Sequence, residues 1–301
     1  MKPLVVIEAP SNLGLKEPEP GKEPGVKKLP DWLKDHGFYQ KISPEKIIRL
    51  EAPTYSMKLD KESDVRNAEE IVFYSKQLSA EIGKVLNTKR FPFTVGGDCS
   101  ILVGCAHGLK SNGKYGLFFI DGHTDFILPD LSRTKALAGM DLAVVTGYGH
   151  SKLTDIDGLK PYIKENHVLA FGNRYYMKEY VEVIKNSSVL YYDLSTIRKE
   201  GIEQIVNIFL ARMEFEVVDG FWIHIDADVL NDDIMPCVDS RQPDGLSYDE
   251  LRLTLTLLLK SELAAGIDIT ILNPELDSSG IYTKAFVNEL SACFMHEFSD
   301  K

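Results

Sequence analysis

Short apolar stretches rich in β-branched and aromatic residues alternate along the chain with segments of helical periodicity. We predict eight strands, at Leu4–Glu8, Ile47–Leu50, Phe93–Val95, Leu117–Ile120, Val168–Phe171, Val189–Tyr192, Phe221–Ile225 and Ile267–Leu272. Continuous apolar strands are typical of a parallel sheet that is covered on both faces. Because helical segments separate the strands, the pattern favours βαβ units and an α/β fold.

Three segments carry clear signals of amphipathic helices. Apolar residues recur at helical spacing through Val65–Leu86. A second helix is predicted to begin at a capping box formed by Ser247 and Glu250. The last helix is predicted to begin near Tyr282, with one face made of Phe286, Leu290 and Phe294.

The segment Leu15–Pro30 departs from this pattern, since thirteen of its sixteen residues are Lys, Glu, Pro or Gly. It is predicted to be a long exposed loop, which is either simply solvated or a lid beside a site at the strand ends. No comparable linker occurs later in the chain. We therefore expect residues 1–301 to form a single domain, a length within reach of one large α/β domain.

Composition restricts the class of protein. Acidic residues outnumber basic ones by 45 to 34, for a net charge of −11, which argues against nucleic-acid binding but suits carboxylates gathered around a cation. Four cysteines without CxxC spacing indicate reduced thiols and a cytoplasmic protein. There is no apolar run long enough for a membrane helix, and the first residues do not resemble a signal peptide, so we expect no membrane partner.

Polar segments follow three of the predicted strands directly. They are Gly96–Ser100 (GGDCS), Asp121–Asp125 (DGHTD) and Asp226–Asp228 (DAD). In an open parallel sheet, ligands bind at the carboxyl ends of the strands, so these segments are expected to meet at one edge. Alternate residues of extended chain point to the same side, which would bring together Asp121, His123 and Asp125, and likewise Asp226 and Asp228.

Four carboxylates and one imidazole in a small volume predict a divalent cation. Like charges at short range favour protonation, whereas a cation stabilises the ionised forms. A site rich in oxygen with some imidazole suits manganese, iron or nickel better than a structural zinc. A single DxHxD pattern arises readily by chance, but three polar motifs after successive strands are much harder to explain in that way.

The motifs GGDCS, DGHTDF and HIDADVL resemble the signatures GGDHS, DAHxD and DxDxxDP of the arginase/agmatinase (ureohydrolase) family. Similarity in order and spacing extends to Val6–Pro30, Gly139-Met140 and Gly266–Pro274, and so covers essentially the whole chain. The resemblance implies a three-layer α/β/α fold around a central, mainly parallel eight-stranded sheet. It also implies a binuclear manganese cluster, a homo-oligomer, and hydrolysis of guanidino or amidine carbons in a small-molecule substrate.

The resemblance further implies a role for each matching residue. Asp121 and Asp226 would bridge two metal ions, and His123 and Asp228 would complete one metal site. Asp125 would complete the other and act in catalysis by orienting the attacking hydroxide. The family's histidine in GGDHS is Cys99 here. Cys99 is either a thiolate ligand, which favours Zn²⁺, Fe²⁺ or Ni²⁺ over Mn²⁺, or a small buried residue that leaves that metal weakly held or absent.

Two further departures concern the substrate. Ala138 stands where arginases place a proton-shuttling histidine, and Ile271 stands where they place a glutamate that binds the guanidinium. A buried ion pair that lacks one partner costs several kcal/mol, so we expect a substrate other than arginine or agmatine. Asp141 and Glu275 are candidate substrate-binding acids, with cap or surface roles as the alternative.

The remaining histidines are interpreted as structural. His107 and His224 are expected to be packed or hydrogen-bonded, and His150 is a weaker candidate for the missing proton shuttle.

The sequence thus predicts a metal-dependent hydrolase of linear amidine or guanidino C–N bonds that uses a metal-activated hydroxide and one or two ions. The alternative is a catalytically inactive relative that binds a metal or another ligand. A deacetylase-type hydrolase is a third option, but the His-rich site of such enzymes is not matched here.

Overall fold

The computed structural model of the chain describes residues 2–174 and 177–298. Eight strands form one sheet in which every pairing is parallel, in the order β2-β1-β3-β8-β7-β4-β5-β6. Their bounds are β1 Leu4–Glu8, β2 Lys46–Arg49, β3 Phe91–Val95, β4 Tyr115–Ile120, β5 Val168–Phe171, β6 Leu190–Tyr192, β7 Gly220–Asp226 and β8 Ala264–Thr270. Each of the eight predicted strands overlaps one of these, and the predicted α/β fold with an eight-stranded sheet is confirmed.

Eleven α-helices are found in the described part of the chain. They are α1 Leu29–Asp35, α2 Phe38–Ile42, α3 Ala68–Asn87, α4 Ile101–Asn112, α5 Asp141–Val145, α6 Ser151–Thr154, α7 Lys178–Lys185, α8 Leu194–Glu200, α9 Ile202–Phe215, α10 Tyr248–Leu259 and α11 Ile281–Phe298. None of the described helices has the length and apolar character needed to cross a membrane. The three predicted helices correspond to α3, α10 and α11, and α10 begins with both hydrogen bonds of the Ser247–Glu250 capping box.

Helices cover both faces of the sheet and create two apolar cores. Alternate residues of a strand point to opposite faces, so Val6 packs in one core and Val5 in the other. Residues of α1, α2, α9, α10 and α11 fill the first core, and those of α3, α4 and α5 fill the second. The result is the three-layer α/β/α arrangement.

The predicted exposed loop Leu15–Pro30 is only partly irregular. Residues 15–24 contain no helix and are mostly exposed, whereas Gly25–Lys28 forms one 3-10 turn that leads into α1. A Cβ atom added at Gly25 would lie 2.3 Å from Asn273 Oδ1, so this turn packs closely against the segment after β8. The start of the loop reaches the carboxyl edge of the sheet.

Candidate metal centre

The carboxyl ends of the adjacent strands β3, β8, β7 and β4 border a cavity of about 400 Å³. This edge carries the three polar segments identified in the sequence, because each segment follows its strand without an intervening element. Five of the predicted metal-site residues line the cavity, namely Cys99, His123, Asp125, Asp226 and Asp228. The sixth, Asp121, is buried at the end of β4 and contacts this set.

Asp121, His123 and Asp228 form a group that we call the outer cluster. One ligand atom from each lies within 4.8 Å of the other two. His123 Nδ1 lies 2.9 Å from Asp228 Oδ2 and 3.8 Å from Asp121 Oδ1. Burial lowers the pKa of His123, but the two carboxylates, Asp228 above all, outweigh it and raise the pKa to about 8.

Residues outside the outer cluster fix its orientation. His123 Nε2 lies 2.9 Å from Gln242 Nε2 and 3.2 Å from Ser240 Oγ, so the other ring nitrogen is the one turned towards the carboxylates. The buried Arg174 donates from Nη2 to the carbonyl oxygen of Asp228 at 2.5 Å. Burial opposes ionisation of Asp228, but His123 and Arg174 outweigh it, and its pKa is lowered. Such outer partners are typical of histidine and carboxylate metal ligands.

Cys99 is fully buried in the cavity wall beside Asp226. Its thiol donates to Asp226 Oδ2 at 2.9 Å, and its Sγ lies 3.0 Å from Thr270 Oγ1. Burial, together with the Asp226 carboxylate, raises the pKa of the thiol well above its usual range. Without a cation the sulfur is therefore a neutral thiol, and a metal ion is needed to make it a thiolate.

Asp125 presents its carboxyl group to the cavity, where it has no hydrogen-bond partner among the described residues. The residue is 93% buried, being 7% exposed, and its backbone has a positive φ of 40°. Burial and the carboxylates of Asp121, Asp141 and Asp226 raise its pKa well above the usual range. The group is thus placed to exchange a proton with a molecule in the cavity.

The side chains at this edge fit a divalent cation. Burial, and then Asp228, raises the pKa of Asp121 to about 7, and burial and nearby carboxylates raise that of Asp226 well above its usual range. Asp121 Oδ2 is buried and has no hydrogen-bond partner, although buried polar atoms are normally satisfied. A cation between these oxygens would satisfy this atom and offset the repulsion between the carboxylates.

The two predicted substrate-binding acids lie elsewhere. Asp141 is fully buried at the start of α5 and does not line the cavity. Glu275 also lies outside the cavity lining, on a 3-10 turn, where it accepts from Lys28 Nζ at 2.7 Å and pairs with Lys22 at 3.7 Å. These positions do not favour direct substrate contact for either residue.

Three positions discussed in the sequence have clear surroundings. Ala138 and Ile271, which replace the family's histidine and glutamate, both line the cavity. His150 caps α6, where its Nδ1 accepts from the backbone of Lys152 at 3.2 Å, and it does not line the cavity. In the described structure the cavity wall therefore has no histidine other than His123.

Sequence reasoning missed two acidic or basic groups at this edge. Asp239 lines the cavity from the irregular segment between β7 and α10, and its Oδ1 accepts from Asn273 Nδ2 at 2.9 Å. His224 lies within β7, and one ring nitrogen is within 4.8 Å of ligand atoms of Cys99 and Asp141. We call Cys99, Asp141 and His224 the inner cluster. His224 and Asp226 are two residues apart on one strand, so their side chains point to the same side of the sheet. This spacing was the signal that could have indicated the direction of the His224 side chain.

The chain is similar to known proteins of one family. The family model for the arginase family matches residues 2–296. The chain is 27% identical over 286 residues to an arginase of Staphylococcus aureus (strain COL), covering 92% of each chain. It is 30% identical over 216 residues to an arginase of strain MSSA476, covering 71% of each. The solved arginase from Bacillus caldovelox superimposes with a TM-score of 0.87 at 24% identity, covering 98% of both chains. The chain therefore belongs to the arginase family, a family of metal-dependent hydrolases of amidino groups.

Proposed function

We propose that this protein hydrolyses a C–N bond of a linear amidino or guanidino compound with the help of divalent metal ions. The observation that carries the proposal is the convergence of six potential ligands at one cavity, where the buried Asp121 Oδ2 lacks a partner. Membership of the arginase family supports the same chemistry.

The proposed metal ligands are Cys99, Asp121, His123, Asp125, Asp226 and Asp228. Divalent ions held there would activate water near neutral pH and offset the negative charge that develops during attack on the amidino carbon. Asp121 and Asp226, which stand at the carboxyl ends of the adjacent strands β4 and β7, would both serve as ligands. Manganese is the typical metal of the family, but the sulfur of Cys99 favours zinc, iron or nickel at its own position.

Asp125 is the proposed proton carrier. Its carboxyl group faces the cavity, where it is placed to accept a proton from water and return it to the leaving amine. Asp125 would thereby perform part of the proton transfer for which arginases use a histidine at the position of Ala138.

Asp239 is the proposed anchor for the cationic amidino group. It is a carboxylate on the cavity wall, and a hydrogen bond from Asn273 Nδ2 holds it in place. Desolvation by the surrounding walls raises its pKa, which makes a cationic partner favourable. Ile271, which stands where arginases place a substrate-binding glutamate, lines the same cavity but carries no charge. The proposed anchoring carboxylate therefore comes from a different position in the chain.

Two cations favour a substrate whose other end is anionic. Lys16 and Arg133 line the cavity, and both are exposed. Neither forms an ion pair with another residue in the described part of the chain. A carboxylate at the far end of the substrate would pair with them, whereas an ammonium group there would be repelled.

A matched pair of compounds tests both parts of the proposal. Wild-type protein loaded separately with Mn²⁺, Ni²⁺, Fe²⁺ or Zn²⁺ is incubated with 4-guanidinobutanoate, agmatine or arginine, and urea release is measured. We expect saturable release with at least one metal, and a higher kcat/KM for the carboxylate-ended compound than for agmatine. Asp125→Asn is expected to lower kcat roughly 10²- to 10⁴-fold.

Asp233→Asn is the control, because Asp233 is an exposed aspartate outside the cavity lining. It should retain wild-type turnover. If no metal supports release of urea or ammonia from any of a wider set of guanidino, amidine and amide compounds, the catalytic proposal fails and the non-catalytic alternative stands. A preference for agmatine over 4-guanidinobutanoate would contradict the role given to Lys16 and Arg133.

A further inference from the structure

The inner cluster adjoins the cavity through Cys99 and is buried from solvent. Cys99, Asp141 and His224 each have 0% exposure, and one ligand atom from each lies within 4.8 Å of the other two. They come from three different elements, since Cys99 precedes α4, Asp141 begins α5 and His224 belongs to β7. Three donors of different chemistry are therefore brought to one buried point.

His224 is held in the orientation of a metal ligand. Its Nδ1 lies 2.6 Å from Asp268 Oδ2, while Trp222 Nε1 donates to the other carboxylate oxygen of Asp268 at 2.5 Å. Stacking on Phe119, with ring centroids 4.7 Å apart, also fixes the plane of the imidazole. A carboxylate bound to one ring nitrogen leaves the other as an unprotonated donor, which is the usual arrangement around a metal-binding histidine.

Two atoms of the inner cluster lack the partners that buried polar atoms normally have. His224 Nε2 and Asp141 Oδ2 are both buried without a hydrogen bond. Asp141 Oδ1 accepts from the backbone of Leu142 at 2.7 Å, so only Oδ2 remains available. An unsatisfied buried polar group costs stability. A purely structural interpretation of the cluster leaves both costs unexplained, whereas a cation would satisfy both atoms.

The charges of the cluster balance with one divalent ion. A Cys99 thiolate and an Asp141 carboxylate together carry two negative charges, and His224 is a neutral donor. A neutral ion and ligand set is the form that a fully buried site tolerates, because isolated buried charges are strongly disfavoured. Asp226 Oδ2 accepts from Cys99 Sγ at 2.9 Å, so this carboxylate adjoins the inner cluster.

We propose that Cys99, His224 and Asp141 hold one divalent metal ion. His224 on β7 then supplies the imidazole that is missing from the motif after β3, where Cys99 replaces the histidine. Asp141 is then a metal ligand and not a substrate-binding residue. Sulfur, nitrogen and oxygen donors in one site favour zinc, cobalt or iron(II) over manganese. The chain thus carries two unlike positions, with the outer cluster providing only oxygen and nitrogen donors. The inference concerns metal binding and does not depend on turnover.

Cobalt(II) is a suitable probe, because a thiolate bound to it absorbs strongly in the near ultraviolet. Full-length wild-type protein is titrated with Co²⁺, and the thiolate-to-cobalt absorption is recorded. We expect the band in wild type and its loss in Cys99→Ser. His224→Gln and Asp141→Asn should bind this cobalt at least 10-fold more weakly, as judged from the same band. Cys105→Ser is the matched control, since Cys105 is also buried and reduced but belongs to neither cluster, and it should retain the band.

A measurement on wild type alone covers the case in which a variant fails to fold. The proton NMR spectrum of the cobalt-loaded protein should show two paramagnetically shifted imidazole N–H signals, from His123 and His224. The second should exchange slowly with D₂O because His224 is fully buried. Absence of the thiolate band in wild type, undiminished cobalt affinity in folded His224→Gln and Asp141→Asn, or absence of a slowly exchanging shifted imidazole signal would each overturn the proposal. None of these outcomes depends on urea release, so the catalytic proposal is tested separately.

Discussion

At the scale of single residues, two side chains that line the cavity sit on strained backbone. Asp125 and Ile271 have φ values of 40° and 74°, in the left-handed region that glycine prefers. Each such residue costs of order 1–3 kcal/mol and persists only where surrounding contacts hold it. The backbone N–H of Ile271 donates to the carbonyl oxygen of Gly97 at 2.7 Å, which ties the end of β8 to the loop after β3. Strain of this kind is typical of functional sites.

The sequence could predict some site residues but not others. Asp121, His123 and Asp226 follow strands directly, so the alternation of extended chain indicated that they converge. Asp239 could not be placed in this way, because its segment has no period and its position depends on distant contacts such as the hydrogen bond from Asn273. His224 is buried and its Nδ1 is hydrogen-bonded to Asp268, as the sequence predicted, but the prediction did not include its unpartnered Nε2.

Asp239→Asn tests which carboxylate binds the cationic end of the substrate. The asparagine keeps an oxygen for Asn273 but loses the charge, so we expect KM for a guanidino substrate to rise roughly 10- to 100-fold with little change in kcat. Steady-state kinetics measure both constants. Glu275→Gln is the comparison, because Glu275 lies outside the cavity lining and should leave KM unchanged. If Glu275→Gln raised KM and Asp239→Asn did not, Glu275 would be the carboxylate that binds the cationic end of the substrate.

At the scale of elements, the loops after the central strands place the chemistry. The apolar strand patterns and the three polar motifs were sufficient to predict which loops meet. The helix α5 was not predicted, because its five residues are too short for a periodic pattern. Since α5 begins at Asp141, it turns this carboxyl group towards Cys99 and away from the cavity. The position of Asp141 thus depends on tertiary packing and not on local sequence.

Gly97 allows the loop after β3 to approach the loop after β1. A Cβ atom at this position would lie 1.7 Å from the carbonyl oxygen of Ser11, and Ser11 is itself fixed by hydrogen bonds with Asp98. We expect Gly97→Ala to lower the free energy of unfolding by about 2 kcal/mol or more, because backbone must move. Thermal unfolding, followed by circular dichroism, should show a decrease in Tm of several degrees.

Gly139→Ala serves as the control for this substitution. The nearest atom to a Cβ at Gly139 is 4.0 Å away, on Ile127, so there is room for the methyl group. Its Tm should stay close to that of wild type. A Gly97→Ala protein as stable as Gly139→Ala would mean that the two loops are not packed as closely as described.

At the scale of the whole molecule, the fold brings acidic groups together that ordinary packing would keep apart. In a chain of net charge −11, Asp121, Asp125, Asp226 and Asp228 are all at least 93% buried near one point. The sequence predicted this convergence because all eight strands, and the polar motifs that follow three of them, could be inferred. It could not decide the identity of the metal or the substrate, since both depend on side-chain placement around Cys99 and Asp239.

The amount of divalent metal retained by the whole protein tests the cation site most directly. Wild type and Asp121→Ala are supplied with manganese, nickel, iron or zinc, dialysed, and analysed for metal per chain, with Asp233→Ala as a control for an exposed aspartate. Circular dichroism confirms that each variant is folded. We expect two ions per chain in wild type and in Asp233→Ala, and at most one in Asp121→Ala. If wild type retains no more metal than Asp121→Ala with every one of the four ions, these carboxylates do not form a metal centre.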